Sequence, residues 1–299
     1  MKHTIGVDVG STKISFVVLD GERIVSRQKI LTPKNTKEII KAIEENINKL
    51  IKDIPKSYIL EIGIGIAGPL NKNRDLILNP PNIKALTSVV LAKIIEKDLK
   101  IKTKMENDAK CFVLAEAIMG AGKGCESILG ITLGSGIGGG FLTSNFKLKK
   151  DNFEIQKGAF GGAGEIGHMT IKFDGPKCSC GNNGCFEKYA STKFFEAKTN
   201  ESSLEVEKKA RKGEKYAKML YADFGKNLGI GLANLINILD PEIIVIGGGI
   251  SKAWPLFLNA TKNEIKKRVL STESKKFVKI KISKLGDFSG AVGAALLVK

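Results

Sequence analysis

The chain has 299 residues, 42% of them hydrophobic, and a formal net charge of +17. That length and composition suit a globular protein of about two domains and exclude a disordered or fibrous chain. The polar N-terminus and the absence of any stretch near the roughly 20 apolar residues of a membrane span predict a cytoplasmic protein with no membrane partner. Nucleic acid is not an expected partner either. Only Arg23, Arg27, Arg74, Arg211 and Arg268 are arginines, and the lysines spread along predicted helix faces, whereas nucleic-acid readers gather arginine into a local patch.

The first elements are short strands joined by tight turns. Thr4 to Val9 is β-rich, Gly10-Ser11-Thr12 turns the chain, Lys13 to Leu19 returns, and the Asp20-Gly21-Glu22 signal leads to a third strand over Arg23 to Leu31. Three antiparallel strands are therefore expected. Ile39, Ile40, Ile43, Ile47, Leu50 and Ile51 recur at helical spacing within Thr36 to Lys52, and Ile59 to Ile66 reads as a buried strand. A helix over about Thr87 to Leu99, a short strand ending at Glu106 and a helix from about Asp108 to Met119 follow. The pattern then restarts. Ser127 to Leu133 is a strand, Gly134-Ser135-Gly136-Ile137-Gly138 is a glycine turn, and Gly139 to Thr143 begins a return strand, so the chain holds an internal duplication. Helical stretches are expected over about Thr192 to Lys198 and Ser203 to Asp240, then a strand over Glu242 to Ile246 running into Gly247-Gly248-Gly249. A helix opened by Pro255 continues to about Leu270, Phe277 to Leu285 alternates as a strand, and Ser289 to Val298 closes the chain as an Ala-rich helix. Without a low-complexity linker between the halves, two similar α/β domains with an interdomain cleft are expected.

The glycine turns carry chemical meaning. Such a turn between two strands exposes consecutive backbone N–H groups and lets a phosphate chain approach closely, so a pair of them would clamp a triphosphate. At the first, Asp8 ends the strand where an acid orients Mg²⁺ or its waters, Ser11 and Thr12 offer hydroxyls, and Lys13 adds charge beside Gly10. At the second, Thr132 and Ser135 supply hydroxyls beside Gly134 and Gly136. Gly248, after a buried Ile-Ile-Val-Ile strand, offers a third close approach, toward the adenosine end of a nucleotide. Each turn alone is equally readable as a structural loop.

His168, Cys178, Cys180 and Cys185 form a Cys₃His set with Gly181 and Gly184 between the thiols, and zinc is the expected occupant. Four protein ligands leave no open coordination position, so the zinc is read as structural, holding the flanking Glu165 and Glu187. In Glu106-Asn107-Asp108-Ala109, Asp108 is either a helix cap or the carboxylate that accepts a hydroxyl proton during phosphoryl transfer to an alcohol.

These segments together resemble the ROK family of bacterial and archaeal sugar kinases and related repressors. The matching runs are Ile5-Gly6-Val7-Asp8-Val9-Gly10-Ser11-Thr12-Lys13, Gly63 to Pro69, Pro81-Asn82, Glu106-Asn107-Asp108-Ala109, Leu133 to Gly140, Ala163 to His168 and Cys178 to Glu187. The last two joined are specific to this family, whereas the Asp-x-Gly-x-Thr turn is shared across the actin, hexokinase and chaperone ATPase superfamily. The resemblance implies two ribonuclease-H-like α/β domains. Residues 1–118 plus 289–299 would form the smaller, and 119–288 the larger, carrying the zinc loop. It implies a glucokinase-like enzyme that moves the γ-phosphoryl group of ATP to the 6-hydroxyl of glucose, with Asp108 as base. Asn82, Asn107, Glu165, His168 and Glu187 would grip the sugar, and Asp8, Gly10, Thr12, Thr132, Gly134 and Gly136 would hold Mg²⁺ATP. N-acetylmannosamine, N-acetylglucosamine, fructose and allose are the alternative sugars, and a homodimer or other homo-oligomer is the expected assembly. Three departures stand out: Ser135 for the usual Thr, Lys110 for a usual Asn, and a longer connection between Phe141 and Gly162 that includes Lys149-Lys150-Asp151-Asn152. A sugar-sensing regulator is the reading of another class, disfavoured because seven residues before Asp8 are too few for a helix-turn-helix. A noncatalytic, filament-forming actin-like protein is a third, which Glu165, His168 and the Asn107-Asp108 pair argue against.

Overall fold

The structure, a computed structural model, describes residues 2–144 and 153–298. Lys149-Lys150-Asp151-Asn152 lies outside the described residues. The chain forms two compact units, one of residues 1–124, 140–164 and 284–299, the other of 125–139 and 165–283. Among the described residues no helix is long and apolar enough to cross a membrane.

The first unit is built on strands β1 (His3–Val9), β2 (Lys13–Asp20), β3 (Arg23–Leu31), β4 (Ile59–Ile66) and β5 (Thr103–Asn107), in the order β3-β2-β1-β4-β5. The β1–β2 and β2–β3 pairs are antiparallel, as alternation and turn signals predict, and β4 and β5 add in parallel. β1 and β4 are apolar on both faces because helices cover the sheet. Helix α1 (Thr36–Leu50) is capped by the Asn35 side chain and buries Ile39, Ile43 and Ile47 one turn apart. Helix α2 is shorter than the expected 87–99. It runs Leu91–Leu99, because Ser88 takes a left-handed φ of 59° and returns its N–H to Ile77, while Lys84–Leu86 form a separate 3₁₀ turn.

Helix α3 (Asp108–Ile118) is buried along nearly its whole length. After β6 (Ser127–Leu133), β7 (Ile137–Ser144) and β8 (Phe153–Ile155), three helices follow: α4 (Thr192–Thr199), α5 (Ser203–Arg211) and α6 (Lys215–Leu239). The expected stretch over Ser203 to Asp240 breaks at Gly213, whose φ of 100° no helix accommodates. Strand β9 (Ile243–Gly247) leads through a 3₁₀ turn to α7 (Trp254–Arg268), which carries Pro255 in its first turn. The expected strand over Phe277 to Leu285 is present but shorter, as β10 (Lys279–Ile282), because Phe277 ends a preceding helix, α8 (Thr272–Phe277), capped by Ser271. Helix α9 (Ser289–Leu296) ends the chain.

The second sheet runs β10-β9-β6-β7-β8, which read backwards is the connectivity of the first. β1 and β6, β2 and β7, and β4 and β9 are counterparts, and each sheet has its glycine turn between the first two. This repeated α/β order is the two-domain ribonuclease-H-like, actin-like arrangement. Within the second unit, Phe194, Phe195, Tyr221, Phe224 and Phe257 stack edge to face and side by side, joining α4, α6 and α7.

Helix α9, though last in sequence, packs on β1, β4 and α3 of the first unit. Its small residues bring backbone against backbone. A Cβ on Gly6 would overlap the carbonyl of Ala291, one on Gly63 that of Ala294, and one on Gly293 that of Cys111. Gly63→Ala therefore forces the helix off the sheet and is expected to cost about 1–3 kcal/mol or more, seen as a lower midpoint in guanidinium unfolding. An unchanged midpoint would contradict this backbone-to-backbone contact.

Candidate active site and metal centre

In the first unit the candidate side chains Asp8, Asn107 and Asp108 lie at the ends of β1 and β5. The first glycine turn is closed by the Gly10 N–H donating to Lys13 O at 3.1 Å, and the Thr32 hydroxyl donates to Gly10 O at 2.7 Å. Ser11, Thr12 and Lys13 are exposed at its tip. Asp8 lies two residues before the turn, with its carboxylate over the first turn of α9, where a Cβ on Gly290 would come within 2.5 Å of Oδ2. Burial first, then the charge of Asp108, pushes the Asp8 carboxyl up to about 7, against a smaller opposing pull from Lys29.

Asn107, not Asp108, caps α3. Its Oδ1 accepts the N–H groups of Ala109 and Lys110 at 3.1 and 3.3 Å, and its Nδ2 donates to Gly68 O at 3.3 Å. Asp108 is then the first residue of the helix, and the capping alternative for it is set aside. Gly68 in turn packs on Pro80, since a Cβ there would meet Pro80 Cβ at 2.6 Å. The fold thus brings the loop of exposed Asn82 to the corner that holds Asn107.

In the second unit, Gly134 N–H donates to Gly136 O at 3.0 Å, and Gly134 O accepts the N–H of Thr192 at the start of α4. Thr132 sits two residues before its turn, as Asp8 does, and pairs across the sheet with Gly247. Gly248 has a φ of 84° and lies against the backbone of Leu133, so only glycine fits. Gly10 and Gly134 spend their amides closing the two turns, so the amides that follow, of Ser11 and Thr12 in the first turn and of Ser135 in the second, are the candidate anion donors of each.

The cysteine loop folds on itself through the Thr170–Cys185 and Lys177–Asn183 bridges, and Cys178 N–H donates to Asn182 O at 2.7 Å. Gly184 has a φ of 66° and presses on the carbonyl of Lys172, where any Cβ would collide. The ligand atoms of His168, Cys178, Cys180 and Cys185 lie within 4.8 Å of one another. Cys180 Sγ is 3.6 Å from Cys185 Sγ, and Cys178 Sγ is 3.8 Å from His168 Nδ1. Sulfurs about 2.3 Å from one ion at tetrahedral corners stand about 3.7 Å apart, so the set fits zinc. The thiols are not joined as disulfides. His168 presents Nδ1 to the set, and its backbone N–H donates to Glu165 O within a 3₁₀ turn. Glu165 itself is exposed.

Glu187 ties the cluster to the second turn. Its Oε1 accepts from the Cys178 thiol at 3.4 Å and from Lys193 Nζ at 2.6 Å, while Oε2 lies where a Cβ on Gly136 would come within 2.5 Å. Lys193 carried no sequence signal. Its part follows from Ser191, which caps α4 and also donates to Glu187 O, setting the first turn of that helix over the carboxylate.

Asp8 gives a pH test of this geometry. Between the ordinary carboxylate value and about 7 the folded chain holds a proton on Asp8 that the unfolded chain has lost, so ionisation drains stability as pH rises through that window. In magnesium-free buffer, Asp8→Asn is expected to melt higher than the parent protein at pH 8, with the gap closing toward pH 4. A gap that does not vary with pH would contradict the placement of Asp8.

The model of the ROK family matches residues 4–299. The glucokinase of Streptomyces coelicolor is 31% identical over 100% of this chain and 98% of its own. The xylose repressor of Bacillus subtilis is 31% identical over 99% of this chain and 77% of its own. Among solved structures, a ROK family glucokinase from Streptomyces griseus in complex with glucose and AMPPNP superposes with a TM-score of 0.84, at 31% identity and 99% coverage of both chains. A family match along almost the whole chain, on a duplicated α/β fold with the Cys₃His loop in place, means that this protein belongs to the ROK family.

Proposed function

We propose that this protein is an ATP-dependent hexose kinase that transfers the γ-phosphoryl group of ATP to the 6-hydroxyl of glucose. The similarity to glucokinases along whole chains supports the kinase reading, and the release of Asp108 from capping by Asn107 is the observation that carries the chemistry. Asp108 accepts the proton of the sugar hydroxyl as its oxygen forms the bond to the γ-phosphorus. The bond from that phosphorus to the β,γ-bridging oxygen breaks, and ADP leaves. Asn82, Asn107, Glu165, His168 and Glu187 bind the other hydroxyls.

The amides and hydroxyls of Ser11, Thr12 and Ser135, with Thr132 and Lys13, take up phosphate oxygens, and Gly248 gives room to the nucleoside. Asp8 suits Mg²⁺ or its waters. Its carboxyl, lifted to about 7 by burial and by Asp108, gains more from a nearby cation than an exposed acid does. Magnesium, when bound, would neutralise the phosphate charge. Zinc in the Cys₃His set would fix the His168 ring and hold Glu187.

The second reading, a sugar-responsive regulator, is favoured by the similarity to the xylose repressor. Coupled ADP release over a panel of hexoses and N-acetylhexosamines separates the two. Fastest turnover with glucose is expected, and sugar binding without ADP release would favour the regulator. Asp108→Asn is expected to keep glucose binding and lower kcat by about 10²-fold or more. A folded variant with near-normal kcat would remove Asp108 from the role of base.

A further inference from the structure

Lys110 has no place in the chemistry above, yet it is 3% exposed in the first turn of α3. A lysine so enclosed must have its charge met. The neighbouring thiol of Cys111 senses what surrounds it, pushed up by burial and by the charges of Glu106, Asp8 and Asp108 and drawn down by that of Lys110. Lys110 and these carboxylates therefore act with opposite sign on the same buried thiol. Lys110 Nζ also donates to the carbonyl of Gly161 at 3.3 Å, 51 residues along the chain.

Gly161 is held from a second side. Arg74, 9% exposed at its side chain, lays its guanidinium against the same glycine, where a Cβ would meet Nη1 at 3.3 Å. Arg74 is a non-glycine residue at a φ of 60°, fixed there by its N–H donating to Asn71 O and by the Asn71 side chain, which accepts from Asp75 and Leu76. Glu106 lies behind both. Its Oε1 is 3.3 Å from Arg74 Nε and accepts the N–H of Asn107 at 2.9 Å, and its Oε2 is 3.6 Å from Lys157 Nζ.

The segment so held is residues 157–164. It turns through Gly158, Gly161 and Gly164, all at positive φ, with Gly161 N–H donating to Gly158 O and Ala163 N–H to Lys157 O. Glycine-rich chain of this kind has no rigidity of its own. Fixed points at Lys157 and Gly161 supply it, and the next residue after the segment is Glu165. Lys110 and Asp108 are two apart on a helix, so their side chains do not share a face. Lys110 acts on the segment and does not touch the hydroxyl that Asp108 serves.

We propose that Lys110, together with Arg74 and Glu106, is a positioning residue for sugar binding that fixes the 157–164 segment beside Asn107 and Asp108. The proposal rests on the hexose kinase reading.

The test compares the parent protein with Lys110→Met and Lys110→Arg in steady-state kinetics, and follows hydrogen exchange of residues 157–164. Lys110→Met is expected to raise the glucose KM about tenfold or more, leave the ATP KM within about twofold, and speed exchange in the segment, while Lys110→Arg regains most of the glucose affinity. A folded Lys110→Met with the parent glucose KM would overturn the proposal. So would glucose and ATP KM values that rise together without rescue by arginine, which would mark a general loss of stability. Should Lys110→Met fail to fold, Lys157→Ala at the half-exposed foot of the segment takes its place. A raised glucose KM at constant ATP KM is then expected, and an unchanged one overturns the proposal. If the parent protein phosphorylates no sugar, the kinase reading fails, and calorimetric glucose binding to the same variants decides the positioning role on its own terms.

Discussion

Three thiols and an imidazole crowded into a few ångströms are the constraint on which the second unit depends. As neutral groups they gain little from one another. Burial, and then the neighbouring thiols, push the Cys185 thiol up to about 12, whereas the backbone of Asn182 draws the Cys180 thiol down, and a bound cation would favour the thiolate form that metal ligation requires. The loop that carries the set is short and bent through glycines at 181 and 184, with little apolar surface to order it. What the cluster organises lies at its borders. His168 presents one ring nitrogen to it, and Glu187 spans from Cys178 to Lys193 and Gly136. A metal closing this loop would therefore set the position of a carboxylate beside the second glycine turn. Phe186 next to it is fully buried against Gly231 of α6, which anchors the loop in the core.

The first unit meets a different demand. Asp8, Glu106 and Asp108 converge at strand ends under a helix, and a medium of low polarity makes their repulsion costly. Arg74 and Lys157 offset part of it at Glu106, while Asp8, against a smaller opposing pull from Lys29, keeps the penalty in its raised carboxyl. The close seat of α9 on β1 and β4 leaves no room for these groups to relax apart, because Gly6 and Gly63 put backbone directly against backbone. Stored charge repulsion of this kind is what a kinase would relieve on taking up a metal nucleotide.

Much of the fold was legible because its signals are local. The alternation in β2, the one-turn spacing of Ile39, Ile43 and Ile47, and the strand–glycine turn–strand repeat each depend on a few neighbouring residues. The Cys₃His set was legible for the same reason, since three of its four ligands lie within eight positions. What sequence hid depends on backbone conformation or distant contact. Ser88 and Arg74 adopt left-handed conformations that a non-glycine residue does not advertise, and Gly213 breaks a helical pattern that looks continuous. Asn107 and Asp108 are both good caps, and only the hydrogen bonds show which one serves. The partner of Lys110 is 51 residues away, and Lys193 reaches Glu187 only because Ser191 fixes the start of α4.

A structural metal in the cysteine cluster is the requirement from which the placing of His168 and Glu187 follows. Elemental analysis of protein purified without chelators, joined to calorimetry of glucose and of an ATP analogue before and after metal removal, tests it most directly. About one zinc per chain is expected, and its removal should weaken glucose binding while leaving nucleotide binding largely intact. Metal-free protein that binds glucose as tightly as the native form would contradict the account.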